Sequence, residues 1–558
     1  MIMGADQTWV EWDGHRIEIT VGTTVQQLVA RENPSLLAGE NPAVIASING
    51  RRTGLHESLS GEERLRLIHL RDPMVRSTVL RSALFLLAAA AEDLFPAHRL
   101  TVNFSYGGGY YIELDRPAPL TRDELTALEN RMGELKGDDL ALSPQRLGLR
   151  ALLKIYERRG EMRNHATARY LRRHNLTLFR MQGRELLYYG RQLPSTGCLG
   201  EFKLVLEEPG FVLLVEPLGG ISGIPEFSPQ PMLLDTLRNY AGWVSDMGFQ
   251  DTGALNEYVV QGRTAEMIQI SEGRHSQFFV YAARRVADQP EDGRLVLLAG
   301  PSSSGKTSSA KRLMVQLRVL GLHPFALSLD DYFVDREDTP RAPDGDFDFE
   351  SLSALRIDLF NEHLQQLMAG EEVHLPRFDF VSGTGSLADE PTILAKGQPL
   401  IVEGIHALNP AMTPAIPTAR KLLIYVSALC HTNITNLSYI RTSHTRLFRR
   451  IVRDAQFRGY TAGETLARWS KVRHGEDTHI FPHQNNADLF FNTGLAYEMA
   501  VLKLWAEPRL AAVDPDDPNY GLARTLIDIL GLLLPIDASQ VPPTSLLREF
   551  IGGSGFSY

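Results

Sequence analysis

Cysteine is almost missing from this chain. Cys198 and Cys430 are the only two among 558 residues, and they stand far apart. Two isolated thiols build neither a disulfide framework nor a cysteine zinc cluster, and they point to a reducing compartment. Long apolar runs are missing too. The greasiest stretch, residues 83–91, falls well short of the ~20 residues a spanning helix needs and reads as a buried helix. The opening residues carry no basic-then-apolar leader pattern, so a cytoplasmic location with no membrane partner is expected. Excess positive charge is lacking as well: the formal net charge is −10 and the pI about 5.9. That balance disfavours indiscriminate binding to nucleic acid or anionic membranes, so RNA is a disfavoured partner. The length exceeds what one hydrophobic core can organise, and about three or four domains are expected.

The most informative stretch present is Gly300-Pro301-Ser302-Ser303-Ser304-Gly305-Lys306-Thr307, with Ser308 next. It follows the apolar run 295–299 and opens a segment in which Ala310, Leu313, Met314, Leu317 and Leu320 recur at helical spacing. A strand, a glycine-rich loop and a helix make a phosphate cradle, because loop amides point inward and the helix start adds partial positive charge. Lys306 suits the β- and γ-phosphates, and the Thr307 hydroxyl suits Mg²⁺. A nucleoside triphosphate ligand, ATP with Mg²⁺, is the expectation.

Before this loop, residues 1–72 read as a compact unit. Strands at 9–12 and 16–20 flank the Asp13-Gly14 turn, and Thr23 or Thr24 caps a short helix through Val25, Leu28 and Val29. Strands 43–48 and 65–68 follow, with Asn49-Gly50 as a turn. This stretch resembles the TGS domain, a β-grasp module of threonyl-tRNA synthetases. Residues 73–218 resemble the second accessory domain of the same synthetases, through Arg81-Ser82-Ala83-Leu84-Phe85, Gly107-Gly108-Gly109-Tyr110-Tyr111-Ile112 and Leu120-Thr121-Arg122-Asp123-Glu124. In that family the domain carries histidines on its first helix and a Cys-x-x-x-His near its end. Here Arg81 and Phe85 take the helix positions, and Phe202 takes the histidine position after Cys198. The resemblance therefore implies a catalytically empty, degenerate editing-type module.

Residues 219–287 open on the turn-rich Gly219-Gly220-Ile221-Ser222-Gly223-Ile224-Pro225 and continue as a helical connector, with helices expected at 232–247 and 265–287. His275, in the second, reads as a packed or solvated histidine. From 288 to 500, further strands at 324–329, 400–402, 422–426 and 489–491 alternate with helices such as 355–368 and 435–457. That alternation predicts an α/β fold with a parallel sheet and helices on both faces. Asp330-Asp331 stand at the carboxyl end of one strand, the ligand edge of such a sheet. A carboxylate there suits removal of a proton from an attacking hydroxyl, with Asp330, Asp331 or a merely structural cap as the alternatives. Glu403 closes another strand and suits Mg²⁺. Arg446, Arg450 and Arg453 share one helix face, with Arg449 beside them and Arg458 just beyond.

Several of these pieces together resemble the uridine kinase and phosphoribulokinase family of P-loop kinases. The matching stretches are 300–307, 328–333, Asp346-Phe347-Asp348-Phe349, Pro376-Arg377-Phe378-Asp379-Phe380, Val402-Glu403-Gly404-Ile405-His406, 449–454 and 487–492. The resemblance implies Asp330 as base, Thr307 and Glu403 on the metal, and Asp348 on ribose hydroxyls. It places Arg450 on the acceptor sugar, and Arg453 and Arg458 on the phosphates. Gly300, Ser302, Ser303, Ser304, Gly305, Lys306, Thr307 and Ser308 would hold the donor. Two departures touch the base pocket: Phe378 and Gly383 stand where uracil- or cytosine-binding members place Tyr and His, and Tyr460 replaces a lid arginine. His406 is either a substitute polar group or a packing histidine. The tail, 501–558, contains an amphipathic stretch at 522–534 and either packs back on the kinase or joins copies into a homo-oligomer.

The expected architecture is thus a P-loop NTPase sheet preceded by a small β-grasp domain and an α+β synthetase-like domain. The expected activity is transfer of the γ-phosphoryl of Mg-ATP to the 5′-hydroxyl of a nucleoside, uridine-like at first guess. The alternatives are a kinase of another small alcohol or sugar, and an ATP-switched protein that binds RNA or a translation partner.

Overall fold

The structure is a computed structural model that describes residues 7–171, 175–186, 191–220, 222–291, 294–342, 345–379, 382–429 and 432–557. Ile221, Phe380 and Cys430, named above, lie outside the described residues.

The first module is a five-stranded mixed sheet in the order His15–Thr20, Gln7–Trp12, Glu63–His69, Ala43–Ile48, Arg51–Gly54, with the helix Val25–Glu32 on one face. Thr24 caps that helix in a reciprocal box with Gln27. Asn49 and Gly50 both adopt positive φ, the mirror-image turn that matches strand twist, and so join 43–48 to a strand the periodicity did not show.

The second module wraps the helix Arg76–Leu94. Residues 83–91, the greasy run, are all buried, so this helix is long and apolar because it is a core element. A four-stranded antiparallel sheet ordered Phe202–Glu207, Gly210–Val215, Gly109–Leu114, Leu100–Tyr106 lies against it. A subdomain with helices Leu149–Arg158 and Met162–Arg169 is inserted between the second and third of these strands to appear in the chain order, after Arg122–Gly137. Over 146–184 the sequence has eleven Lys and Arg against two Asp and Glu. Much of that charge is neutralised at the seams with other elements: Arg146 on Glu57, Arg159 on Glu92, Arg163 on Asp251, Arg169 on Glu257 and Arg184 on Asp93.

The C-terminal half is built on five parallel strands ordered Phe325–Ser328, Leu400–Glu403, Leu295–Ala299, Lys421–Ser427, Leu489–Asn492. Alternate residues of the central strand enter two different cores. Val296 and Leu298 meet the helices Thr264–Ala287 and Lys306–Val319, whereas Leu295, Leu297 and Ala299 meet Pro231–Asp246 and Ile357–Ala369. Burial on both faces is what a parallel sheet requires. Phe104, Tyr106, Tyr111, Val212 and Leu214 of the second module share the latter core, so its sheet and the parallel sheet are packed continuously.

One expectation is corrected. The segment 435–457 is not helical from its start. Thr432–Thr435 and Ser438–Ile440 form a hairpin, and the helix begins at Thr442. The hairpin docks on the edge strand Leu100–Tyr106, where Val102 N–H donates to the Asn436 carbonyl at 2.7 Å and Ser105 Oγ lies 2.6 Å from the Tyr439 hydroxyl. An edge strand needing partners outweighed the local helical pattern.

The helix Tyr520–Leu530 reaches the first module at its Asn49-Gly50 turn. A Cβ on Gly521 would sit 2.1 Å from the Gly50 carbonyl oxygen, which is backbone and cannot swing aside. Gly521→Ala is therefore expected to loosen this joint, at about 1–3 kcal/mol for an overpacked contact. Faster proteolytic release of the first module and a lower unfolding temperature would show it, and an unchanged cleavage pattern would count against the joint.

Candidate active site

The glycine-rich loop leaves the central strand at the point where the sheet order reverses, the position at which open α/β sheets bind ligands. Two glycines make its path. A Cβ on Gly300 would lie 2.0 Å from the Val426 carbonyl oxygen, and Gly305 takes φ 87° to start the helix Lys306–Val319. Ser303 also has positive φ, 58°. The hydroxyls of Ser303 and Ser304 are buried, and neither has a hydrogen-bond partner among the described residues. Orphaned hydroxyls in a loop of this shape suit a ligand rich in acceptor oxygens.

The loop is held from below by arginines of the helix Thr442–Phe457. Arg449 has no exposed surface; its guanidinium donates to the Ser303 and Ser304 carbonyls at 3.4 Å and to the Thr493 carbonyl at 2.7 Å, and pairs with Glu498 at 2.5 Å. Arg446 donates to the Ser302 carbonyl and pairs with buried Glu476, which also accepts the Ser302 N–H at 3.0 Å. Arg450 reaches the Ser302 hydroxyl at 2.7 Å. Sequence spacing put Arg446, Arg450 and Arg453 in one row. The structure divides the five arginines differently: Arg446 and Arg449 brace the loop, Arg453 and Arg458 lie on the buried carboxylate of Asp454 at 3.1 and 3.6 Å, and Arg450 does both, with Asp454 at 3.2 Å. Three guanidiniums on one carboxylate leave net positive charge beside the cradle.

On the sheet's carboxyl edge, Thr307 Oγ1 donates to Glu403 Oε1 at 3.1 Å. Burial pushes the Glu403 carboxyl up to about 7, and the Asp330 charge adds to this against Lys306 and Thr307. A carboxyl held so high beside a hydroxyl is a donor set that a divalent cation would satisfy. Asp330 is exposed on the 3₁₀ turn Leu329–Tyr332, within electrostatic reach of Glu403, Glu350 and Arg458. Asp331 accepts the Phe378 N–H at 3.4 Å, a contact to the strand Pro376–Asp379. Phe378 packs on Phe333 with ring centroids 5.7 Å apart. Asp348 accepts the Glu350 N–H at 3.2 Å and faces His479 at 3.7 Å. His406 is 2% exposed, and burial drives its pKa down to about 4. The ring therefore stays neutral near neutral pH.

At the second module's counterpart positions, Phe85 is buried in the core, Cys198 Sγ lies 3.6 Å from Ser195 Oγ, and the Lys136 ammonium sits 5.8 Å over the Phe202 ring. His275 is a core residue whose Nε2 is 3.3 Å from the Gly494 carbonyl.

Residues 295–499 match the model of the phosphoribulokinase / uridine kinase family. The match spans the glycine-rich loop and the five parallel strands, a region with the P-loop kinase fold. The N-terminal region is homologous to threonine–tRNA ligases. The ligase of Maricaulis maris is 29% identical over 195 residues, 35% of this chain and 30% of the ligase. That of Pelobacter propionicus is 28% identical over 193 residues, with the same two shares. The chain spans about 30% of the length of these ligases. Among solved structures, one described as a possible uridine kinase from Bacillus stearothermophilus aligns over 38% of this chain and 98% of its own, at 19% identity and a TM-score of 0.26. D-glycerate 3-kinase from Cryptococcus neoformans var. grubii aligns over 49% and 89%, at 15% identity and a TM-score of 0.19.

Three carboxylates around the site escaped sequence reasoning: Glu350, Glu476 and Glu498. Each is a single acidic residue in a mixed polar stretch, and no spacing rule singles it out. Glu350 is raised to about 7, first by burial, then by Glu476 and Asp330, with Arg450 and Lys306 opposing. Above the ordinary value of 4.5 and below about 7, the folded protein keeps a proton there that the unfolded chain has lost. Ligand-free protein should therefore lose stability as pH rises through that window. Urea midpoints at a series of pH values should fall less steeply for Glu350→Gln than for the parent, with the Glu403 contribution remaining. An identical slope would reject the assignment. Removing Arg449 (Arg449→Met) leaves Glu498 buried without its charge partner and should cost about 3–5 kcal/mol in chemical denaturation. A cost below about 1 kcal/mol would mean the pair is not what holds the loop.

Proposed function

We propose that the chain is an ATP-dependent kinase that phosphorylates a primary hydroxyl of a small molecule, with a nucleoside 5′-hydroxyl as the first candidate. The observation that carries this reading is the position of Asp330. It is an exposed carboxylate at the tip of the strand two places from the loop, facing Glu403 on the strand between them and Arg458 beyond. Lys306 and the loop amides would hold the triphosphate. Thr307 and Glu403 would hold Mg²⁺, which supplies charge neutralisation on the phosphate oxygens. Asp330 takes the proton of the acceptor hydroxyl as its oxygen bonds to the γ-phosphorus. The bond from that phosphorus to the β-bridging oxygen breaks, and ADP leaves with the electron pair. Arg450, Arg453 and Arg458 are placed to balance the charge of the transferring group, and most of the rate gain comes from positioning.

On the acceptor side, Asp348 is placed to receive hydrogen bonds from vicinal hydroxyls and Phe378 offers a ring face. The base edge differs from a pyrimidine reader. Gly383 has φ +77°, and a Cβ there would lie 2.7 Å from Arg336 Nε, so a guanidinium fills the place of the missing side chain. The adjoining cavity, about 530 Å³, is lined by Arg336, Arg341 and Phe347 among others. Asp335, Glu337 and Asp338 line it too, so the wall offers acceptors beside the guanidinium donors and suits a polyhydroxylated acceptor, whose hydroxyls do both. A non-nucleoside alcohol or sugar is the second reading for that reason.

Asp330→Asn should lower turnover by about 10²–10⁴-fold while MgATP binding, read by calorimetry, stays near the parent value. Unchanged turnover would remove Asp330 from the chemistry. A panel of radiolabelled nucleosides and small alcohols with ATP identifies the acceptor.

A further inference from the structure

The segment that follows the last long helix returns to the glycine-rich loop. Leu546 is fully buried in the core formed by the loop helix and the parallel sheet, and its Cδ2 lies 3.5 Å from where a Cβ of Gly305 would be. Glu549 Oε2 accepts the Ser308 hydroxyl at 2.5 Å, on the first turn of the loop helix. Phe550, also fully buried, lies under the Arg449 guanidinium at 5.2 Å, and its carbonyl accepts Gln456 Nε2 at 2.9 Å. Ser545 Oγ is 3.3 Å from the Tyr497 hydroxyl, and Gly552 lies against Gln456. Leu547, Phe550 and Ile551 belong to the core of the arginine-bearing helix, so residues 545–553 bridge the two helices between which a gripped triphosphate lies.

From this we infer that residues 545–553 are a structural wall of the donor-nucleotide site and that Glu549 is a positioning residue. By holding Ser308, it fixes the first turn of the loop helix, whose amides would grip the phosphates. The inference rests on the proposed kinase reading for the identity of the nucleotide, but not on the acceptor. Three contacts made by one short segment, to Gly305, to Ser308 and to Arg449, bear on the loop. The flexibility of a glycine-rich loop is a cost that binding must otherwise meet. A carboxylate at a helix start is also favourable in itself, which keeps the segment docked before nucleotide arrives. The bond to Ser308 needs an acceptor oxygen rather than a charge. An amide at position 549 therefore preserves it and an alanine does not.

The test uses the full chain in three forms, parent, Glu549→Ala and Glu549→Gln, with Ser308→Ala as the reciprocal variant. MgATP binding is measured by calorimetry and, where turnover is found, donor and acceptor KM are measured separately. Glu549→Ala and Ser308→Ala are expected to weaken MgATP binding and raise the donor KM by about 5–20-fold, the loss of one hydrogen bond to a charged group. The acceptor KM should stay at the parent value, and Glu549→Gln should recover most of the loss. Unfolding temperatures of the ligand-free variants close to the parent show that the effect is on the site rather than on folding. Hydrogen exchange of residues 545–553 should slow when MgATP is added to the parent. Equal MgATP affinity for parent and Glu549→Ala overturns the inference while leaving the kinase reading intact. Tighter binding by Glu549→Ala overturns it too, because the carboxylate would then act as a competing anion. A glutamine variant as weak as alanine overturns the hydrogen-bond role. A parent that binds no MgATP overturns both readings, whereas a parent that binds it yet phosphorylates nothing sinks only the kinase.

Discussion

The site depends on one buried guanidinium. Arg449 is closed off from solvent and spends its donors on the carbonyls of Ser303, Ser304 and Thr493, on the Thr493 hydroxyl and on the Glu498 carboxylate. Thr493 Oγ1 in turn donates to the Ser304 carbonyl at 2.6 Å. Tying loop carbonyls to these donors fixes the path of the loop, while two of its amides are also engaged, Ser302 N–H by Glu476 and Ser304 N–H by the Pro301 carbonyl. Such a pair is not a bargain in stability. Burial pushes the Glu498 carboxyl up, with Arg449 opposing, and desolvation of both ions offsets much of their attraction. What the pair contributes is a defined geometry. The loop, the arginine-bearing helix and the helix Glu498–Ala511 are tied together, because each holds one member of the network. Preorganised dipoles of this kind cost no rearrangement when charge develops.

How much of this was legible in the sequence follows from the range of each interaction. The strands of the parallel sheet were readable because burial on both faces writes a short continuous apolar run, as at 295–299 and 489–491. The loop was readable because phosphate binding constrains consecutive residues. The hairpin at 432–440 was not, since its partner strand, Leu100–Tyr106, lies over three hundred residues earlier. The arginine helix was half readable. Helical spacing placed Arg446, Arg450 and Arg453 on one face, yet it could not show that Arg446 is spent on Glu476 while Arg450 and Arg453 share Asp454. Arg449, off that face, looked incidental for the same reason. Glu476 and Glu549 reach the loop from 174 and 241 residues away, and a lone carboxylate in a polar segment carries no signature of the contact it will make.

The join between the synthetase-like half and the kinase domain has a physical logic of its own. The edge strand Leu100–Tyr106 receives the hairpin 432–440, and the arginine-bearing helix starts two residues later. Asp251, in the connector, caps its own helix through Ala254 N–H, pairs with Arg163 of the basic subdomain and bridges to Asn433 of the hairpin. The root of the arginine helix is therefore fixed by the N-terminal half, while its far end is fixed by residues 545–553 through Gln456. Anchoring at both ends gives the helix a fixed register, and with it the placing of Arg450, Arg453 and Arg458 around Asp454. The sheet edge that the synthetase-like half offers to the hairpin thus helps to fix the start of the arginine-bearing helix, through backbone hydrogen bonds such as that from Val102 N–H to the Asn436 carbonyl.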